Sequence, residues 1–449
     1  MSSTISENKT TVKAEPDVPW FAAPPVHDIA LDLPGWYSEF QASSWQKFLD
    51  LPDPERRDEN WRFADLRKVR FSELIAARPA DNVESLVQRA KAERVENFAA
   101  HFVFANNRLI YSEVADLPEN VICMPFNEAL AEHGEVVREH FMKDETTLGG
   151  AKFQALHGAA TLSGLFVHAP KGAVIEKPVV VHHFAGGDFQ AIFPHTLAVA
   201  EDNASVSIME FFESVVEEEQ SLIVGSVDLA ASNGGSIQYV SMQDESDTGP
   251  KHVQLNSSRA GRDANVVTAF VNLGASWVRT ESINHMEESG ADIQIYGANL
   301  ANGTQEYDQR TLQCHEAQHT TSDLLFKNAL YDESRTIFAG LIQVLPGSHH
   351  TDSYQTCRNL LGSDKAEANA MPGLEIDADQ VKCSHGSTSG QISDEEIFYL
   401  QARGIPAEAA RQMISLGFLN ESISKLKGDE IKETLFDRIE KKFTSLRAE

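Results

Sequence analysis

The stretch Val381-Lys382-Cys383-Ser384-His385-Gly386 sets a thiol and an imidazole two residues apart. Side chains on a strand alternate between faces, so Cys383 and His385 would share one. Both are soft or borderline metal ligands. A Cys and a His at this spacing more often pack a core than hold a metal. Their position shifts the balance, because strand periodicity gives way to helix periodicity immediately afterwards. Cys357 precedes Cys383 by about one turn of a stacked-strand coil, where adjacent strands lie roughly 4.8 Å apart. The two sulfurs are therefore expected to be neighbours.

Other constellations carry less. Cys314, His315 and His319 look metal-like, but consecutive strand residues face opposite ways, so a single tight site would require a break in the strand. The adjacent pairs His182-His183 and His349-His350 fail the same test. Gly386-Ser387-Thr388-Ser389-Gly390 approaches the hydrolase elbow, but its centre is Thr388 and no suitable helix follows. The chain has no Gly-Lys dipeptide and no G-x-G-x-x-G, so it lacks a phosphate-cradling loop, and nucleotide-driven work must come from another subunit.

Composition narrows the function classes. The 449 residues carry a formal net charge of -29, which disfavours nucleic acid and anionic lipid as partners. Four scattered cysteines, at 123, 314, 357 and 383, with no C-x-x-C pair, argue against a disulfide framework and for a reducing compartment. An iron-sulfur cluster usually takes four cysteines, so any cluster held here is expected to be shared with a partner. Residues 1–19 contain no apolar core of a secretory signal, and no run is apolar enough to span a membrane, so the expected location is cytoplasmic.

The elements that must position Cys383 and His385 fall into blocks. Residues 1–30 read as a flexible tail. Residues 31–147 read as a helical domain with a short hairpin around Asn106-Asn107; within it, Trp61 of the Glu59, Trp61, Arg62 motif is read as packed against its neighbours. From 148 to 392 short strands alternate with turns near Asn203, Gly234, Asp263, Gly290, Gly303, Glu333 and Ser363, mostly about 30 residues or half of that apart, which is the signature of a stacked repeat. A sandwich of that length would usually split, so a mainly β fold with a parallel β-helix core is expected, its end strands capped or given to a partner. Residues 393–449 turn helical. Ser393 and Glu396 suggest a capping box, Gly404 a C-cap and Pro406 the first turn of the next helix. A last helix from about Asp429 to Leu446 aligns Ile431, Leu435, Ile439, Phe443 and Leu446 on a face that either caps the β core or receives a partner.

Several motifs together resemble the SufB/SufD family of iron-sulfur cluster assembly scaffolds. They are His319 to Ser322, Asp332 to Arg335 with Gly340, Asp352 to Gln355, Arg358 to Leu361, Leu374 to Ile376, Val381 to Gly386, Phe398 to Leu400 and Arg403 to Ile405. Glu59, Trp61 and Arg62 look like the N-terminal element of the SufD branch. The resemblance implies a right-handed parallel β-helix between helical domains and a subunit that is not itself an enzyme. It implies pairing with SufB through the end of the β-helix, and docking of the ATPase SufC on the C-terminal helices, around Tyr399, Arg403, Gly404 and Ile405. It also implies a transient cluster at the subunit junction, with His385 as ligand, Cys383 beside it and Cys357 as an extra ligand. Cys357 departs from the SufD pattern and is closer to SufB, whereas Gly386 stands where the SufB branch has Glu. A homodimer supplying both halves of the site is the alternative assembly, and a flavin elsewhere in the complex is compatible with it. Two rivals remain: a β-helix enzyme acting on acidic polysaccharide, and an adaptor that never touches iron.

Overall fold

In the computed structural model the described residues are 33–446, apart from 69, 217 and 218. The expected tail, residues 1–30, lies outside them. The core is a parallel β-helix, as expected for a chain rich in short apolar strands. Among the described residues the strands form two sheets of eleven and ten, and from Pro194–Ala200 onward successive strands alternate between them. Each strand pairs in parallel with the one a turn later, as Asp352 does with Lys382, so a turn takes about 30 residues.

Backbone conformation at the corners makes this stacking possible. Asn203, Gly234, Asp263, Gly290, His319, His350 and Gln380 all have positive φ, one per turn on a single corner. Corner amides also bond along the stack, Asn203 N–H to Asn233 O at 2.9 Å and Gly234 N–H to Arg262 O at 2.7 Å. Asn, Asp and Gly tolerate this left-handed region, which is why the period was visible in the sequence. At Gly290 a β-carbon would come within 2.1 Å of Asp263 Oδ1, so glycine is required there by space as well as by φ.

Inside the coil, apolar side chains from both sheets form one continuous cluster from Phe102 and Val181 through Ile208, Ile237, Val266 and Ile293 to Phe326, Phe338 and Cys357. Beside it runs an amide ladder. Asn272 donates to Asn299 Oδ1 (2.6 Å), Asn299 to Asn328 (2.7 Å) and Asn328 to Asn359 (2.7 Å), all buried. Each rung satisfies groups that would otherwise cost about 1–3 kcal/mol each to bury unpaired.

The N-terminal segment comprises α1 (Gly35–Asp50), α2 (Val83–Glu93), α3 (Phe126–Glu132), α4 (Gly134–His140) and α5 (Ala151–Ala160), with a hairpin between Ala100–Ala105 and Arg108–Val114. Asn106 and Asn107 have φ of 46° and 66°, the left-handed pair that a tight hairpin turn demands. The hairpin strand Ala100–Ala105 joins the ten-stranded sheet beside Val179–Ala185. Trp61 is buried, as expected, stacked on Trp277 with ring centroids 6.4 Å apart, and the Arg279 guanidinium lies 3.6 Å from its ring centroid.

At the other terminus lie α6 (Asp394–Gln401), α7 (Ala407–Ile423) and α8 (Asp429–Ser445). Ile431, Leu435, Ile439 and Phe443 of α8 pack with Leu416, Leu419 and Ile423 of α7 against Met209, Phe211, Val240, Val267 and Tyr296 on the outer face of the ten-stranded sheet. The apolar stripe is therefore spent on the chain's own β core. Each fully buried side chain of this kind contributes about 1.5–3 kcal/mol. Lys327, on the same outer face, pairs with Glu421 and lies 4.3 Å from the Phe418 ring. The capping box is not formed: Ser393 is the N-cap of α6, but its side chain makes no cap hydrogen bond. Pro406 is the N-cap of α7 and not a residue of its first turn. Gly404 has φ +85°, the left-handed value of a residue just past a helix end.

Candidate functional site

The β-helix ends in two strands, Glu367–Ile376 in the eleven-stranded sheet and Lys382–Gln391 in the ten-stranded sheet. Among the described residues no strand pairs with either on the far side. One edge of each backbone is therefore open for pairing. Pro372, in the middle of the first, fits an edge strand, where a missing N–H breaks no ladder.

Register decides which side chains meet there. In Asp352–Leu361 the residues Ser353, Gln355, Cys357 and Asn359 are buried, and Tyr354 and Arg358 are exposed. Their partners one turn later are Cys383, His385, Ser387 and Ser389, which form the next inward row. Asn359 confirms the direction by donating to Ser389 Oγ at 3.2 Å. Lacking a further turn above it, this row is uncovered: Cys383 is half-buried and His385 exposed. Cys383 and His385 thus share a face, as alternation predicts, at the mouth of the coil. Burial, then the Asp352 charge, raises the Cys383 pKa, so a metal must displace the thiol proton.

Cys357 is not their neighbour. It pairs with Ser387, while Cys383 pairs with Ser353, so the two cysteines are four positions apart along the strand, well over 10 Å at about 3.3 Å per residue. The expectation of adjacent sulfurs fails because the turn here takes about 30 residues, more than the separation of the two cysteines. Cys357 is fully buried, accepts from Asn328 Nδ2 at 3.6 Å, and burial pushes its pKa up to about 12. It packs the core.

Gln355 entered the sequence reading only as the end of the motif Asp352 to Gln355, not as a site residue. It sits one turn beneath His385 in register, 1% exposed, and neither its Nε2 nor its Oε1 has a hydrogen-bond partner. Only the repeat length could have singled it out.

The remaining histidines divide as the alternation rule requires. His315 turns inward to Thr320 Oγ1 (2.8 Å) and Ser322 Oγ (2.9 Å), and burial pushes its pKa down to about 3. Cys314 faces outward, and His319 stacks on His350 with centroids 4.7 Å apart in the corner. These three do not form one site. His182 and His183 bind Glu213 and Glu210 separately, at 3.0 and 2.7 Å.

Beyond the mouth, α6 exposes Phe398 (70%) and Tyr399 (56%), and α7 exposes Met413 (51%). Arg403 lies over the Tyr399 ring at 3.5 Å, Gly404 is exposed, and Ile405 packs partly against Ile397 and Ala410.

Residues 182–418 match the family model described as SUF system FeS cluster assembly, SufBD core domain, and residues 37–181 match that of the SufBD protein N-terminal region. The chain belongs to the SufBD family. Among its relatives, the iron-sulfur cluster assembly protein SufD of Bacillus subtilis is 25% identical over 418 residues, spanning 91% of this chain and 94% of that protein. SufD of Escherichia coli is 27% identical over 404 residues, 88% of this chain and 90% of the relative. SufB of Bacillus subtilis is 23% identical over 411 residues, 88% and 86% respectively. The fold of this chain, a β-solenoid between helical ends, is the one the resemblance implied, and the relatives' names are those of assembly proteins, which leaves the polysaccharide-enzyme reading without support. No helix among the described residues is long and apolar enough to cross a membrane.

Proposed function

We propose that this SufBD protein is the SufD-type scaffold subunit of a complex with SufB and the ATPase SufC, and that its terminal coil supplies His385 to a transient iron-sulfur cluster completed by SufB. The observation that carries this reading is the uncovered inward row at an open sheet edge. There an exposed imidazole and a half-buried thiol face one way, with no other Cys or His of this chain in the row. Two ligands cannot complete a cluster, so the remainder comes from the partner's edge. An edge strand is suited to pairing with another chain. Cys383 assists, and buried Cys357 does not.

The exposed aromatic pair Phe398 and Tyr399, with Arg403, supports α6 and the start of α7 as the docking surface for SufC. Aromatic residues and arginine are the side chains that dominate such interfaces. This subunit performs no catalysis itself; nucleotide hydrolysis belongs to SufC.

Co-expression with SufB and SufC of the same organism is expected to yield a stable complex. Anaerobic reconstitution with iron and sulfide should then give the visible absorption of a cluster. A complex that assembles but never acquires that absorption would reduce this subunit to an adaptor.

A further inference from the structure

A second group of metal-type ligands lies away from the mouth, on the outer face of the eleven-stranded sheet. His285, on the strand Trp277–Met286, is in register with Cys314, on the strand Glu306–His315. Glu316 follows directly, its N–H held by Met286 O at 3.1 Å. One ligand atom from each of His285, Cys314 and Glu316 lies within 4.8 Å of the others. Cys314 is 5% exposed, His285 is half-buried and Glu316 opens to solvent.

The surroundings resemble those of a metal ligand set. His285 Nδ1 meets Glu316 Oε1, while its other nitrogen, Nε2, faces Asp144 Oδ1 at 3.4 Å. Asp144 is itself fixed by Ser257 and Arg259. A carboxylate behind the non-ligating nitrogen orients the ring and fixes its tautomer, the usual outer partner of a metal-bound histidine. The loop before α5 that carries Asp144 thereby joins the N-terminal segment to the site.

We propose that His285 Nδ1, Cys314 Sγ and a Glu316 carboxylate oxygen bind one borderline divalent ion of the zinc or iron(II) class, with a fourth position open to solvent on the Glu316 side. Mixed nitrogen, sulfur and oxygen donors suit these ions, and three protein ligands with one open position is the arrangement of exchangeable sites. Hard ions such as magnesium would reject the thiolate. Binding replaces the His285–Glu316 hydrogen bond and releases the protons of Nδ1 and the thiol. The site is independent of the role given to His385.

The test uses cobalt(II) as probe on the full chain carrying Cys383→Ser and His385→Ala, so that the terminal pair cannot contribute. One equivalent should bind, with a thiolate-to-cobalt charge-transfer band that zinc and iron(II) remove by competition. Adding Cys314→Ser should abolish the band, and adding Glu316→Gln, at an exposed position, should weaken binding with an unchanged circular dichroism spectrum. Asp144→Asn should weaken binding about 10- to 100-fold. A chain that binds no stoichiometric cobalt, or a band unaltered by Cys314→Ser, overturns the proposal and leaves the trio as an ion-paired histidine.

Discussion

His385→Ala is expected to leave the complex with SufB and SufC intact and to remove its cluster. The side chain is exposed at the mouth of the coil, so its loss should alter the stability of the isolated subunit by no more than about 0.5 kcal/mol. The row Cys383, His385, Ser387, Ser389 contains one imidazole, and no other histidine is in register to replace it. The visible absorbance of the cluster after anaerobic reconstitution should therefore fall to the level of a control without iron, and iron retention should drop by the cluster's share. Cys383→Ser removes only the assisting ligand and should give a smaller loss. Normal cluster yield from the His385 variant, with complex formation unchanged, would remove iron contact from this subunit and favour the adaptor.

Arg279→Ala should be the most damaging single change to stability. Arg279 has no exposed side-chain surface, and its guanidinium binds Glu281 (2.7 Å), Asp308 (2.6 Å) and the carbonyls of Asn60 (3.1 Å) and Leu148 (2.6 Å), besides covering Trp61. These contacts tie the N-terminal segment to the middle of the β-helix. Alanine would remove the central cation of a buried network, leaving Glu281 only the Thr146 hydroxyl and the Gly150 N–H and leaving Asp308 only Arg310, a loss of about 3 kcal/mol. Lysine keeps the charge but not the planar fork and should fall between. Denaturant midpoints of the three proteins measure this, and a loss below about 1 kcal/mol for alanine would mean that the carboxylates are relieved by water.

The contrast between these two residues shows what was legible in the sequence. The β-helix was readable because its corners demand left-handed residues, and Asn203, Gly234, Asp263 and Gly290 mark them turn by turn. Alternation on a strand placed Cys383 with His385 and separated Cys314 from His315. What failed was register between turns. Turn length varies by a few residues from coil to coil, and a slip of four carries Cys357 from Cys383 to Ser387. The same uncertainty hid Gln355 beneath His385, and hid His285 beside Cys314 although they too are one turn apart. Arg279 was invisible for another reason: two of its partners, the carbonyls of Asn60 and Leu148, come from a segment more than a hundred residues away, and no local pattern announces a buried ion network. The stripe on α8 was recognised, but only packing could decide that the chain's own sheet takes it up.

Amide hydrogen exchange of Lys382–Gln391, measured on the subunit alone and in complex with SufB, tests most directly whether the end of the coil is where the partner joins. Pairing with a partner strand should slow exchange of the amides facing the open edge, with little change in the interior strands such as Asp292–Ala301. Unaltered exchange at Lys382–Gln391 in a formed complex would contradict the account, because His385 would then lie away from the subunit junction.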